Sequence, residues 1–268
     1  MPFVSLPHVK MFYEITGKLD SEFTMLMIHG WTETHKYWVE QVKFFSERYK
    51  IVTLDLKGHG KSSKNRRGYS IRRLSKDIYE LKRKLNLQNI ILVGHSLGGM
   101  VSLDYNFRRD RGAVKALILF NTTPRPLKMI PRNLSELQGI SKFGIRKFLM
   151  MVYDFSPETI INLEGRRKKE VDELIEDANR TLPLVSFKLG LGSTGFNVSR
   201  RLHEIHVPTL LITGELDNVT PLRIMEDMND KIKDSEFHVI KNTGHMAAIE
   251  KSEETNYIMN TFLKKKGF

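Results

Sequence analysis

The chain reads as an α/β protein: a mostly parallel central sheet flanked by helices, with an inserted helical cap. Three observations lead there. Apolar, β-branched runs alternate with segments of helical periodicity, the pattern of strands joined by crossover helices. Several of these runs are apolar throughout, as strands buried on both faces are. Residues 122–201 then break the rhythm and contain no convincing strand.

Two short strands open the chain, near Phe3–Leu6 and Lys10–Thr16, with Pro7-His8 turning between them. Thr24–Ile28 is a continuous apolar run that ends at His29-Gly30-Trp31. A helix is expected over Lys36–Arg48, where Trp38, Val39, Val42 and Phe45 fall at helix spacing. Lys50–Leu54 is the next strand. It ends at Asp55 and the Gly-rich loop Leu56-Lys57-Gly58-His59-Gly60-Lys61-Ser62. Ser70 then starts a helix with Ile71, Leu74, Ile78, Leu81 and Leu85 along one face. Further strands are expected at 89–93, Lys115–Phe120, Val207–Thr213 and Phe237–Ile240, and a final helix at Ser252–Lys265. The interrupting block reads as helices around Leu134–Ile140, Phe143–Tyr153, Pro157–Thr181 and, more weakly, Leu184–Leu189. This divides the chain into a core, residues 1–121 and 202–268, and a helical cap, residues 122–201. Phe143, Met150, Met151 and Phe187 are the cap side chains singled out for lining a pocket, though most apolar cap residues are expected simply to pack.

The stretch with most chemistry in it is Gly94-His95-Ser96-Leu97-Gly98-Gly99, directly after the run Asn89–Val93. Strand, Gly-x-Ser-x-Gly, helix is the nucleophile elbow: a tight turn that lifts a hydroxyl into a cleft, flanked by residues without side chains so that strand and helix can pack closely. A serine hydroxyl is a weak nucleophile at neutral pH. It needs a base to take its proton and a carboxylate to orient that base. Both are available downstream at strand ends. Leu210–Thr213 runs into Gly214-Glu215-Leu216-Asp217, and Phe237–Ile240 runs into Lys241-Asn242-Thr243-Gly244-His245. Either Glu215 or Asp217 is the acid.

The 268 residues carry 43 Lys and Arg against 31 Asp and Glu, a formal charge of +12. The basic clusters are scattered and accompany no nucleic-acid module, so they read as a solvated surface whose field favours anionic substrates. No nucleic-acid partner is expected. No run is long and apolar enough to span a membrane. Met1–Leu6 lacks the features of a secretory signal, so a cytoplasmic location is expected. The chain has no cysteine, which excludes disulfides and thiolate chemistry.

With the motifs His29-Gly30-Trp31, Asp55–Ser62, Gly94–Gly99, Gly214–Asp217 and Gly244-His245, the chain resembles the α/β-hydrolase superfamily, capped serine hydrolases, along nearly its whole length. The resemblance implies that Ser96 is the nucleophile, His245 the general base and then acid, and Asp217 the residue that orients His245. Asp55 is then part of a structural loop. The oxyanion donors are the backbone N–H groups of Leu97 and, from the loop after the Thr24–Ile28 strand, Trp31. His29 braces that loop, His95 packs beside the elbow, and His35 approaches the pocket mouth. His203 and His206 precede a strand without acidic company, so no metal site is expected. No cofactor is implied. Haloalkane dehalogenases and epoxide hydrolases of this fold use aspartate where this chain has Ser96. The activity implied is therefore hydrolysis of a carboxylic ester with a small or medium acyl group through an acyl-enzyme. Alternatives are a lactone as in 3-oxoadipate enol-lactonases, which the run Leu117–Thr122 is similar to, carbon–carbon bond hydrolysis, or cofactor-free perhydrolysis. A ligand-binding protein without turnover is a further alternative.

Overall fold

Eight strands form one sheet in the order β1-β2-β4-β3-β5-β6-β7-β8. The computed structural model describes residues 2–65, 67–109, 112–126, 181 and 183–268. β1 (Phe3–Leu6) pairs antiparallel with β2 (Val9–Gly17), and β2 pairs antiparallel with β4 (Lys50–Leu54). All remaining pairs are parallel: β3 (Thr24–Ile28), β5 (Ile90–His95), β6 (Val114–Phe120), β7 (Thr209–Gly214) and β8 (Ser235–Ile240).

The alternation of side chains along each strand divides the apolar residues between two faces. Leu26, Ile28, Leu92, Leu117 and Leu119 join one core cluster, with Leu74 and Ile78 of α2 (Ile71–Lys84), Met100 and Leu103 of α3 (Leu97–Arg108), and Met225 of α5 (Leu222–Asn229). Met25, Met27, Ile91, Val93 and Ile118 join the other, with Phe45 of α1 (Val39–Phe45) and Met259 and Phe262 of α7 (Ser252–Lys265). Both faces being covered is why these strands read as unbroken apolar runs. Each fully buried Leu or Ile contributes about 1.5–3 kcal/mol.

Most expected elements form, with differences at their ends. The helix expected over Lys36–Arg48 is shorter and split. Thr34 caps a 3-10 turn, His35–Trp38, and α1 begins only at Val39. The cause is tertiary: the backbone N–H and the ring of His35 both bond Asp55, which holds the first turn tight. Strand β5 runs on through Gly94 and His95, paired with Leu119 and Phe120. Among the described residues, a 3-10 helix at Ser199–Glu204 and two short α-helices, α5 after Pro221 and α6 (Ala247–Glu250), have no counterpart in the sequence reading. The helix expected at Leu184–Leu189 falls within α4 (Pro183–Ser193), whose Val185 and Leu189 join the α2–α3 side of the core, as do Phe196 and Val198. The expected helices over 134–140 and 143–153 lie outside the described residues, as does nearly all of that over 157–181. No helix among the described residues is long and apolar enough to cross a membrane.

Because β3, β5, β6, β7 and β8 are parallel neighbours, the loops after them open on one edge of the sheet. Every expected catalytic group is on such a loop.

Candidate active site

Ser96 sits between β5 and α3 with φ 48° and ψ −114°, a conformation that costs a non-glycine residue about 1–3 kcal/mol. Its surroundings hold it there. Its N–H donates to the Phe120 carbonyl at 2.9 Å, and its carbonyl accepts from the Thr122 hydroxyl at 2.6 Å. The flanking glycines are required by close approach. A Cβ on Gly94 would lie 2.6 Å from the Gly98 carbonyl oxygen, and one on Gly98 would overlap that of Ile28. The latter contact also sets the loop that carries Trp31 against the first turn of α3. Leu97 opens that helix, so its N–H belongs to the group a helix leaves without intrahelical partners.

Asp217 and His245 meet. His245 Nδ1 lies 2.9 Å from Asp217 Oδ2. The same oxygen accepts from Asn121 Nδ2 at 2.8 Å and from the Thr220 hydroxyl at 2.6 Å. The other oxygen accepts the backbone N–H groups of Val219 and Thr220 at 2.8 and 2.9 Å. Burial alone would push the Asp217 carboxyl up, but His245 and these hydroxyl and amide donors hold it down at about 2. Burial would likewise lower His245, yet the Asp217 carboxylate and its hydrogen bond, with Glu33 and Glu250 behind them, raise it above 6.5. The loops bearing Asp217 and His245 are in backbone contact. A Cβ on Gly214 would overlap the Gly244 carbonyl oxygen, and Leu216 N–H donates to Thr243. The Glu250 carboxylate accepts the N–H groups of Gly244 and Met246, fixing His245 from both sides. Glu215 points elsewhere: it is exposed and accepts the N–H of Asn242.

His95 joins the base to the elbow. Its ring lies 4.8 Å from that of His245, and its Nε2 is 2.9 Å from the His245 carbonyl oxygen. Its Nδ1 is 2.9 Å from Glu33 Oε1. Both ring nitrogens therefore face acceptors. Glu33 also accepts the Gly30 N–H, immediately before Trp31. One carboxylate thus links the loop that carries Trp31 to His95, whose other ring nitrogen faces the His245 carbonyl.

His29 braces the loop that carries Trp31, with Nδ1 on its Gly30 neighbour's carbonyl and Nε2 accepting the N–H of Leu56. His35 is held by two carboxylates. Its Nδ1 is 2.7 Å from Asp55 Oδ1 and its Nε2 3.7 Å from Glu14, because a buried carboxylate at the end of β4 draws the ring inward. Asp55 also accepts the Lys61 N–H, which makes it the anchor of the Gly-rich loop. Trp31 and Phe187 are half-buried, and Phe143, Met150 and Met151 lie outside the described residues. Among the described residues, no group of three His, Asp or Glu side chains is arranged to hold a metal.

Sequence reasoning missed Glu33, Asn121, Thr220 and Glu250. Two of them had a signal. Thr220 stands three residues after Asp217, the spacing of a side-chain-capped turn. Asn121 follows a buried strand directly, with φ 43°, a conformation asparagine tolerates.

Comparison with known proteins agrees with this architecture. The family model described as serine aminopeptidase, S33, matches residues 20–252. AB hydrolase superfamily protein YisY of Bacillus subtilis (strain 168) is 27% identical over 263 residues, covering 95% of this chain and 96% of its own. Epoxide hydrolase 3 of Xenopus tropicalis is also 27% identical, over 267 residues, covering 90% and 71%. Among solved structures, esterase RhEst1 from Rhodococcus sp. ECU1013 superposes with a TM-score of 0.86 at 22% identity, covering all of both chains.

Proposed function

The chain belongs to the serine aminopeptidase S33 family of α/β-hydrolase enzymes, and from that premise we propose that it cleaves small carboxylic esters through an acyl-enzyme. The observation that carries this reading is the His245–Asp217 pair, held beside the elbow of Ser96 by His95. In this mechanism Asp217 keeps the His245 proton on Nδ1, leaving Nε2 free to take the Ser96 proton. The hydroxyl attacks the ester carbonyl, and the developing oxyanion is met by the N–H groups of Leu97 and Trp31. His245 then protonates the leaving alcohol and activates the water that releases the acid. The raised basicity of His245 suits both steps.

Serine at position 96 argues against epoxide opening, the activity in the name of the Xenopus relative, because in this fold that reaction resembles cases with an aspartate nucleophile. Residues 122–201, between β6 and β7, are the proposed cap, most of it outside the described residues. The net charge of +12 favours an anionic ester over a cationic peptide.

The test uses p-nitrophenyl acetate and butyrate beside an amino-acid p-nitroanilide and a γ-lactone. Ser96→Ala should remove nearly all ester hydrolysis, and an activated phosphonate should label wild type at Ser96 with loss of activity. Full ester turnover by Ser96→Ala refutes the mechanism. Anilide or lactone cleavage far above ester cleavage refutes the substrate class.

A further inference from the structure

A hollow of about 620 Å³ opens between the β1–β2 turn, the loop after β4 and the first turn of α2. His8, Lys57, Asn65, Arg67 and Arg73 line it. Its floor is Lys57, whose side chain is 1% exposed. Burying an ammonium is costly unless it is paired and hydrogen-bonded. Here the nearest carboxylate oxygen, Asp77 Oδ2, is 4.0 Å away, beyond hydrogen-bond reach. Arg73 Nε stands 3.7 Å from Asp77 Oδ1 and makes no hydrogen bond among the described residues. Three charges thus face one another without a hydrogen bond between them. Burial lowers the Lys57 ammonium and pushes the Asp77 carboxyl up to about 6, so neither ion is well compensated by the other.

The helix adds to the imbalance. The first turn of α2 holds Arg72 and Arg73 and no acidic residue. A helix N-terminus carries partial positive charge and favours anions, so two cations there are placed against the dipole. Gly68 brings the chain in from above: with φ 91°, it passes so near that a Cβ would lie 2.9 Å from Lys57 Nζ. Asn65 donates to the His8 carbonyl and Tyr69 to the Asn65 carbonyl, which fixes the rim.

We propose that this hollow is an oxyanion site that takes a phosphate group, held between the Lys57 ammonium and the Arg67 and Arg73 guanidiniums at the N-terminus of α2. Lysine supplies a point charge from below. The two forks supply directed donors from the sides, the geometry in which guanidinium binds phosphate. Lys57, Arg67 and Arg73 against Asp77 leave a surplus of two positive charges for a phosphate to neutralise.

The experiment titrates the full chain with inorganic phosphate at constant ionic strength, reading heat and unfolding temperature, with chloride as the matched control. Wild type should bind one phosphate and unfold at a higher temperature as the site fills. Lys57→Met should abolish both effects. Arg67→Gln, a change at an exposed residue, should weaken binding about tenfold or more, the worth of one charge-assisted hydrogen bond. Should Lys57→Met not fold, Arg67→Gln decides alone. Equal effects of phosphate and chloride, or wild-type phosphate affinity in Arg67→Gln, overturn the proposal.

Discussion

Replacing Asp217 by asparagine keeps size and shape but changes what the position can accept. Two backbone N–H groups converge on Oδ1, so the new amide oxygen must take that place. The new NH₂ then occupies the place of Oδ2, facing Asn121 Nδ2, the Thr220 hydroxyl and His245 Nδ1. The hydroxyl can rotate to accept. Asn121 cannot turn without setting its own oxygen against the Gly244 carbonyl, and the resulting opposition of like groups costs about 1–3 kcal/mol of stability. His245 can respond only by moving its proton to Nε2, which is the atom that has to accept from Ser96. The base is then in the wrong tautomer, and kcat should fall about 10⁴-fold, or about 5 kcal/mol of transition-state stabilisation. Steady-state hydrolysis of p-nitrophenyl acetate measures this, with circular dichroism to verify the fold. Glu215→Gln is the control, since Glu215 reaches only a loop N–H, and should stay within about twofold of wild type. Asp217→Asn within tenfold of wild type, or a larger loss from Glu215→Gln, refutes the assignment of the acid.

Glu33→Ala removes the acceptor for Gly30 N–H and for His95 Nδ1. Its kcat should drop about 10- to 10³-fold with little change in KM, as when oxyanion positioning is lost. The acid limb of its kcat/KM profile should move to lower pH, since Glu33 is among the charges that raise His245; an unmoved limb counts against this. Gly98→Ala drives a Cβ into the Ile28 carbonyl and should cost more than about 3 kcal/mol, seen as insoluble or early-melting protein. Gly195→Ala, which meets nothing within 4 Å, should melt as wild type does. His59 is buried and neutral, held down to about 3 by burial and by its neighbour His29. Because its folded value lies below the unfolded one, the unfolded chain binds the extra proton between pH 6.5 and about 3, and stability is lost as pH falls through that window. Urea midpoints between pH 5.5 and 4 should show a slope shallower in His59→Gln by about 1.4 kcal/mol per pH unit; equal slopes refute it.

The frame was legible because burial writes itself into composition. Thr24–Ile28, Lys50–Leu54 and Ser252–Lys265 match their sequence readings at both ends, each being fixed by packing on the sheet. What escaped depends on contacts between distant segments. The shortening of α1 follows from Asp55 reaching back to His35, which no local periodicity reports. At the site, the residues at the ends of strands were readable from the elbow and the two glycine-led loops. Their supports were not. Glu33 acquires meaning only once β3 and β5 are neighbours, and Asn121 only once β6 lies between the strands that bear Ser96 and Asp217. The Lys57 hollow was equally hidden, since in the sequence Lys57 is only one residue of the Gly-rich loop after β4.

The elbow imposes strict demands on every position around the serine and almost none on the serine itself. Backbone carbonyls crowd positions 94 and 98, so evolution has a single residue to offer there. Position 96 is held through its main chain, by the bonds of its N–H and carbonyl. Architecture and reagent are therefore inherited separately. A lineage can exchange the attacking atom, oxygen for sulfur or hydroxyl for carboxylate, and keep its scaffold unaltered. Proteins of this shape can thus drift between chemistries one codon at a time, and overall likeness records their ancestry better than their trade.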